Sequence, residues 1–168
     1  SIDVFASNVS PQVSFPNNES GDEGSVIANT IELSDPGAFD NPQVSWTVSH
    51  RGVAVASGAG SAVQFLAAAD GDYELTVSAT DKDGGMTNVT RFISIQNVAP
   101  AFEMNGVMQN GAVDLNVVII DPGRELFFVE IYWTSGAMTA ETIFTSERAL
   151  SFSHRYTPEE LAQAGELT

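Results

Sequence analysis

The sequence predicts an all-β protein built as two tandem β-sandwiches, the second lacking its last two strands. Three observations predict it. Short runs alternate apolar and polar residues with period two, turn-forming residues punctuate them, and a set of landmarks recurs once along the chain. Cysteine is absent, which excludes a disulfide scaffold, a thiol nucleophile and a Cys-ligated metal centre.

The elements follow in order. A first strand is expected over residues 11–15 and a second over 26–33. In the third, Val44, Trp46 and Val48 alternate with Ser45, Thr47 and Ser49, so Trp46 is placed to fill a sandwich centre. His50-Arg51-Gly52 reads as a hairpin turn into a fourth strand over 53–56. A fifth is expected over 62–67. The sixth is the clearest: Tyr73, Leu75, Val77 and Ala79 alternate with Glu74, Thr76, Ser78 and Thr80. The turn Thr80-Asp81-Lys82-Asp83-Gly84-Gly85 leads to a seventh over 88–96. Seven short strands at such intervals define an immunoglobulin-like sandwich with Greek-key connections.

The landmarks then repeat. Asn8-Val9-Ser10-Pro11 matches Asn97-Val98-Ala99-Pro100, and Asp35-Pro36-Gly37 matches Asp121-Pro122-Gly123. Trp46 and Trp133 are 87 residues apart, as are Phe65 and Phe152. A period this long means tandem domains, with residues 1–97 as the first and 98–168 as the second. Thr157-Pro158-Glu159-Glu160 starts a short helical turn. Gly165-Glu166-Leu167-Thr168 is similar to the approach to strand six, after which the last two strands are missing. The sequence is expected to be a cut piece of a longer repeat array; the alternative is that another chain donates the missing strands across the exposed edge this leaves.

Composition narrows the function. With 6 Lys and Arg against 22 Asp and Glu, the formal charge is −16, which repels nucleic acid and anionic membranes and attracts cations. No apolar run approaches the roughly 20 residues of a membrane span. His50 and His154 form no Ser-His-Asp set and no close zinc pair. Asp70 and Asp72 lack any sign of a cleft of the kind two catalytic carboxylates need. The chain is expected not to be an enzyme.

Gly71-Asp72-Tyr73 running through the sixth strand into Asp81-Lys82-Asp83-Gly84-Gly85, and Asn97-Val98-Ala99-Pro100 beyond it, resemble the end of a PKD-like domain, an immunoglobulin-like module of large secreted and surface proteins. Tyr132-Trp133 and Ser153-His154-Arg155-Tyr156 are similar to that family's tryptophan strand and His-x-Tyr element. The Gly-Asp-Gly that often follows the family's Trp is replaced by Thr47-Val48-Ser49 and Thr134-Ser135-Gly136. The resemblance implies calcium held by Asn8, Asp35 and Asp81, with Asp83 adding a ligand and Lys82 pointing away. Alternating strand directions independently bring these positions to one pole. An EF-hand is excluded, because counting from Asp81 places Gly85, Met86 and Phe92 where that loop needs an acceptor, a Gly and a Glu. A second cation is expected at the inter-repeat joint, from Glu23, Asp70, Asp72, Asn97 and Asp121, much as calcium stiffens cadherin repeats.

The expected function is therefore a non-catalytic extracellular or cell-surface spacer or adhesion module of a bacterial protein, rigidified by calcium, with neighbouring repeats as partners. The alternative is an accessory module of a secreted hydrolase that binds a polysaccharide or protein. A row of exposed aromatics on one sheet face would favour the alternative, with Phe127, Phe128 and Tyr132 as candidates, although period two sets Phe127 with Trp133 on one face, read as core, and Phe128 with Tyr132 on the other.

Overall fold

The computed structural model describes residues 7–16, 20–37, 41–124, 126–132, 138–144 and 149–165. The chain divides between Asn97 and Val98 into two compact units. Both are all-β.

Among the described residues, unit 1 holds nine strands: β1 (Gln12–Ser14), β2 (Ser20–Asp22), β3 (Val26–Thr30), β4 (Glu32–Ser34), β5 (Gln43–His50), β6 (Val53–Ala59), β7 (Ala62–Leu66), β8 (Gly71–Thr80) and β9 (Met86–Gln96). One sheet has the order β2-β9-β8-β5-β6, while β3 pairs with β7 and β1 with β4. The two layers share one core. Val44, Trp46, Val48, Tyr73, Leu75 and Val77 project inward from the large sheet onto Ile27, Val63 and Phe65, as period-two alternation requires.

The expected strand over 26–33 is broken at Ile31. Its first part pairs with β7 and its second with β1, so the broken strand takes two partners. The first edge is split too: β1 stays with β4, and β2 crosses to lie parallel to β9, Gly21 opposite Ile95. The hairpin after β5 turns on Arg51 and Gly52, whose φ angles are 51° and 78°. His50 is thus the last strand residue, opposite Val53, and its ring stacks on Tyr73 with centroids 4.3 Å apart. This corrects the expectation that His50 belongs to the turn.

Tyr73 explains the Gly-x-Tyr start of β8. Its hydroxyl donates to the Ala69 carbonyl at 3.1 Å and accepts from the Ala69 N–H at 3.2 Å, which pins the loop from β7 in the manner of an immunoglobulin tyrosine corner. Gly71 has φ 104°, and this conformation lets the chain swing into β8.

Among the described residues, unit 2 contains β10 (Ala101–Gln109), β11 (Ala112–Ile120), β12 (Leu126–Tyr132), β13 (Met138–Phe144), β14 (Ala149–Tyr156) and one helix, α1 (Pro158–Gly165). One sheet has the order β10-β11-β14, and β12 pairs with β13. Asn110 and Gly111, at φ 53° and 77°, form the two-residue turn joining β10 to β11. The core gathers Ile119, Val129 and Phe152, with Leu115, Val117 and Tyr156 packed against them.

Helix α1 is longer than the single turn expected. A capping box starts it: the Thr157 N–H donates to Glu160 Oε2 at 2.7 Å, and the Glu160 N–H to Thr157 Oγ1 at 3.3 Å. The helix runs through Gly165, where a return to strand was expected. Trp133, Thr134-Ser135-Gly136 and residues 166–168 lie outside the described residues.

Candidate functional site

The turn between β8 and β9 is closed by a set of polar contacts. Its backbone closes by the Asp81 N–H donating to the Gly85 carbonyl at 3.0 Å. Gly84, at φ 88°, supplies the left-handed step. The Asp81 carboxylate then folds back over the turn. Oδ1 accepts the N–H groups of Asp83 and Gly85, each at 2.8 Å. The Asn8 amide donates to both oxygens, at 3.2 and 3.0 Å.

Gly85 is there for space. A Cβ at this position would run into the Asp81 carboxylate, would lie 2.8 Å from Asn8 Nδ2 and would come within 3.0 Å of Ser10 Cα. The turn thus clasps the N-terminal segment, and the Thr87 hydroxyl adds a bond to the Pro11 carbonyl at 2.5 Å.

Asp81 is only 5% exposed. Burial alone would push its carboxyl up, but the Asn8 amide and the N–H groups of Gly85, Asp83 and Gly84 hold it below its ordinary 3.8. The charge of this aspartate is stabilised by N–H donors alone, with no cation side chain among them.

Beside the clasp lies an open cleft of about 560 Å³ lined by Ser7, Asn8, Val9, Asp35, Pro36, Gly37 and Asp83. Asn8, Asp35 and Asp83 therefore meet at one pole, and Asp81 is joined to them through Asn8. Asp35 closes its own turn, Oδ1 accepting the Gly37 N–H at 2.7 Å. Its Oδ2 is buried with no hydrogen-bond partner. Asp83 is paired with the Lys82 ammonium, which corrects the expectation that Lys82 points away.

Calcium takes about six to eight oxygen ligands. Here Asp81 spends its oxygens on N–H donors, Asn8 presents its N–H₂, and Lys82 neutralises Asp83. Asp35 Oδ2 is open. Among the described residues, no group of three or more His, Cys, Asp or Glu could hold a metal ion. As arranged, Asp81 and Asn8 are engaged with each other and with the turn.

The residues expected at the joint are placed as follows. Glu23 is buried in the turn after β2, its N–H donating to the Gln96 carbonyl at 3.0 Å. Asp70 meets the exposed Arg51 guanidinium at 3.7 Å. Asp72 is exposed on β8 opposite Ser94, and Asn97 is the last residue of unit 1. Asp121, in unit 2, is 2% exposed and accepts the Gly123 N–H at 2.8 Å, the same local closure as Asp35 over Gly37.

Two participants escaped the sequence reading, the Lys82–Asp83 pair and the steric role of Gly85. Asp81 followed four residues later by Gly85 was the available signal, since a side-chain oxygen that caps its own turn needs an unobstructed N–H there.

The fold is an all-β sandwich, with a polar clasp closing one pole of unit 1. The chain matches no family model and none of the curated proteins. Among solved structures it is similar to the Bacteroides ovatus mixed-linkage glucan utilization locus SGBP-B, solved in complex with a mixed-linkage heptasaccharide. Identity is 14% and the TM-score 0.42, over 90% of this chain and 40% of that one.

Proposed function

We propose that the chain is a non-catalytic pair of PKD-like modules serving as a spacer in an extracellular or cell-surface protein. The observation that carries this reading is the division at Asn97/Val98 into two all-β units, each with its own apolar core. Each also turns the chain with an Asp-Pro-Gly closed by the aspartate side chain. Modules that carry their own cores can be placed in series without redesign of either.

Among the described residues, the exposed aromatics Phe92, Phe102 and Tyr132 lie on β9, β10 and β12, three strands of three different sheets. The side chains of Phe127 and Phe128, the other expected members of such a row, lie outside the described residues. The test is a screen of the labelled protein against arrayed polysaccharides and collagen. No saturable binding is expected, and saturable binding to one polysaccharide would overturn the spacer reading in favour of an accessory module.

Calcium has its own test. The melting temperature should be the same in chelator and in millimolar Ca²⁺, because the pole is already closed by hydrogen bonds. A calcium-dependent rise that Asp35→Ala removes would show that the clasp opens to admit the ion.

A further inference from the structure

We propose that Asn88 is the acceptor of an N-linked glycan, which lies over an uncharged part of the outer face of the five-stranded sheet.

The sequence offers three Asn-x-Ser/Thr triplets, beginning at Asn8, Asn18 and Asn88, the pattern that N-glycosylating enzymes read. Such triplets arise often by chance, so the surroundings of each amide decide between them. Asn18 lies outside the described residues. The other two are placed in opposite ways.

The Asn8 amide is engaged. Its Nδ2 donates to both oxygens of the Asp81 carboxylate, at 3.2 and 3.0 Å, and a Cβ on Gly85 would already lie 2.8 Å from that nitrogen. A sugar there would take one of the hydrogens the clasp uses and would need room the clasp does not have. Asn88 is exposed on β9, and its Nδ2 meets the Met86 sulfur at 3.6 Å, a weak acceptor. Thr90 is exposed as well. Alternation along a strand therefore sets the amide and the hydroxyl of this triplet on the same, solvent-facing side.

The face around Asn88 is the second observation. Asn88 stands opposite Ser78, and Ser78 opposite Ser45; Thr90 stands opposite Thr76, and Thr76 opposite Thr47. These six side chains are all uncharged, in a chain whose formal charge is −16. Hydroxyls and amides exchange hydrogen bonds with a sugar much as they do with water, whereas a carboxylate would have to give up its hydration. Met86 and Phe92, 56% and 65% exposed, follow the same outward line of β9 and offer apolar surface to the carbon-bound face of a sugar ring.

The chain supplies only the acceptor. Nδ2 of Asn88 forms a bond to the anomeric carbon of an activated sugar, carried as a phosphate ester on a lipid or a nucleotide and delivered by a glycosyltransferase. The bond from that carbon to the phosphate oxygen breaks, the phosphate leaves with the electron pair, and Nδ2 gives one proton to a base of the transferase. The inference rests on the extracellular or cell-surface reading above, since such triplets are modified in exported chains.

The test expresses the Asn18→Gln chain behind a secretion leader in a host whose secretory pathway attaches N-linked glycans. Mass spectrometry then reads the peptides holding Asn8 and Asn88 before and after peptide-N-glycosidase, which leaves Asp where a glycan stood. A glycan is expected on Asn88 and none on Asn8. Asn88→Gln and Thr90→Val should each lose it completely, with unchanged circular dichroism because both side chains are exposed. A folded, secreted chain with Asn88 bare, or one that keeps this glycan after Thr90→Val, would overturn the proposal. A glycan on Asn8 would overturn the selection made by the clasp. Because the leader imposes export, a bare Asn88 leaves the spacer reading standing, whereas a glycosylated chain that binds an arrayed polysaccharide overturns that reading and upholds this one.

Discussion

The Leu75→Ala variant should lose about 2–5 kcal/mol of stability in unit 1. Leu75 is 0% exposed and sits on β8, between β5 and β9 in the large sheet. Truncation removes buried methyl groups and leaves a cavity that flanking strands, held on both sides by ladder hydrogen bonds, cannot collapse to fill. For a domain of this size the melting temperature should fall by roughly 10–20 °C. Hydrogen exchange read strand by strand adds a second check. Amides of β8 and β9 should lose protection while those of β10 and β11 keep theirs, since the cores are separate. Parallel loss in both sets would show that the units fold as one, and would count against modules set in series.

The second large effect is expected at the clasp. Asp81→Asn keeps the size of the side chain but faces Asn8 with a second amide, and it removes the negative charge that the turn N–H groups surround. Unit 1 should melt lower, and amides of residues 7–10 should exchange faster as the segment comes loose. Gly85→Ala should do the same by a different route, because its Cβ would crowd the Asp81 carboxylate and Ser10 Cα. Combining Asp81→Asn with Asn8→Ala should cost less than the sum of the two, since they share one interaction.

The pH dependence has a definite sign. The Asp81 carboxyl is held below 3.8 in the folded state, so between its folded and unfolded values the unfolded chain binds more protons, and stability rises with pH. Its contribution is complete above the unfolded value, about 3.9, and is lost as pH falls through the lowered folded value. Acid melting curves of wild type and Asp81→Asn should converge at the lowest pH, separate as pH rises toward about 4, and differ by a constant amount above it. Curves that stay parallel throughout would mean that the carboxylate does not act through its charge.

Much of unit 1 was legible because burial on one face imposes alternation. Val44, Trp46 and Val48 on β5, and Tyr73 to Ala79 on β8, are buried where the pattern places them. Strand β2 was not legible. Ser20-Gly21-Asp22 offers no apolar side chain and joins its sheet through backbone alone, with Gly21 leaving room for the Ile27 side chain. In unit 2, Asn110-Gly111 is a strong hairpin signal, but comparison with the first repeat hides it, because unit 1 divides its first edge between β1 and β2.

At the pole, alternating strand directions are enough to gather Asn8, Asp35 and Asp83 around one cleft. What sequence could not tell is which donors reach the carboxylates. That depends on the left-handed step at Gly84, on the direction of the Asn8 amide and on the rotamer of Lys82, none of which leaves a mark in residue spacing.

The crossing of β2 onto β9 has a consequence for how unit 1 carries load. The two strands are parallel, Ser20 to Asp22 beside Ser94 to Gln96, and β9 ends next to the exit at Asn97. A pull that reaches β2 from the N-terminal side, resisted at Asn97, drives these strands past each other along their length. Their cross-strand hydrogen bonds then have to give way together rather than one at a time, so this short polar pairing acts as a shear lock against stretching.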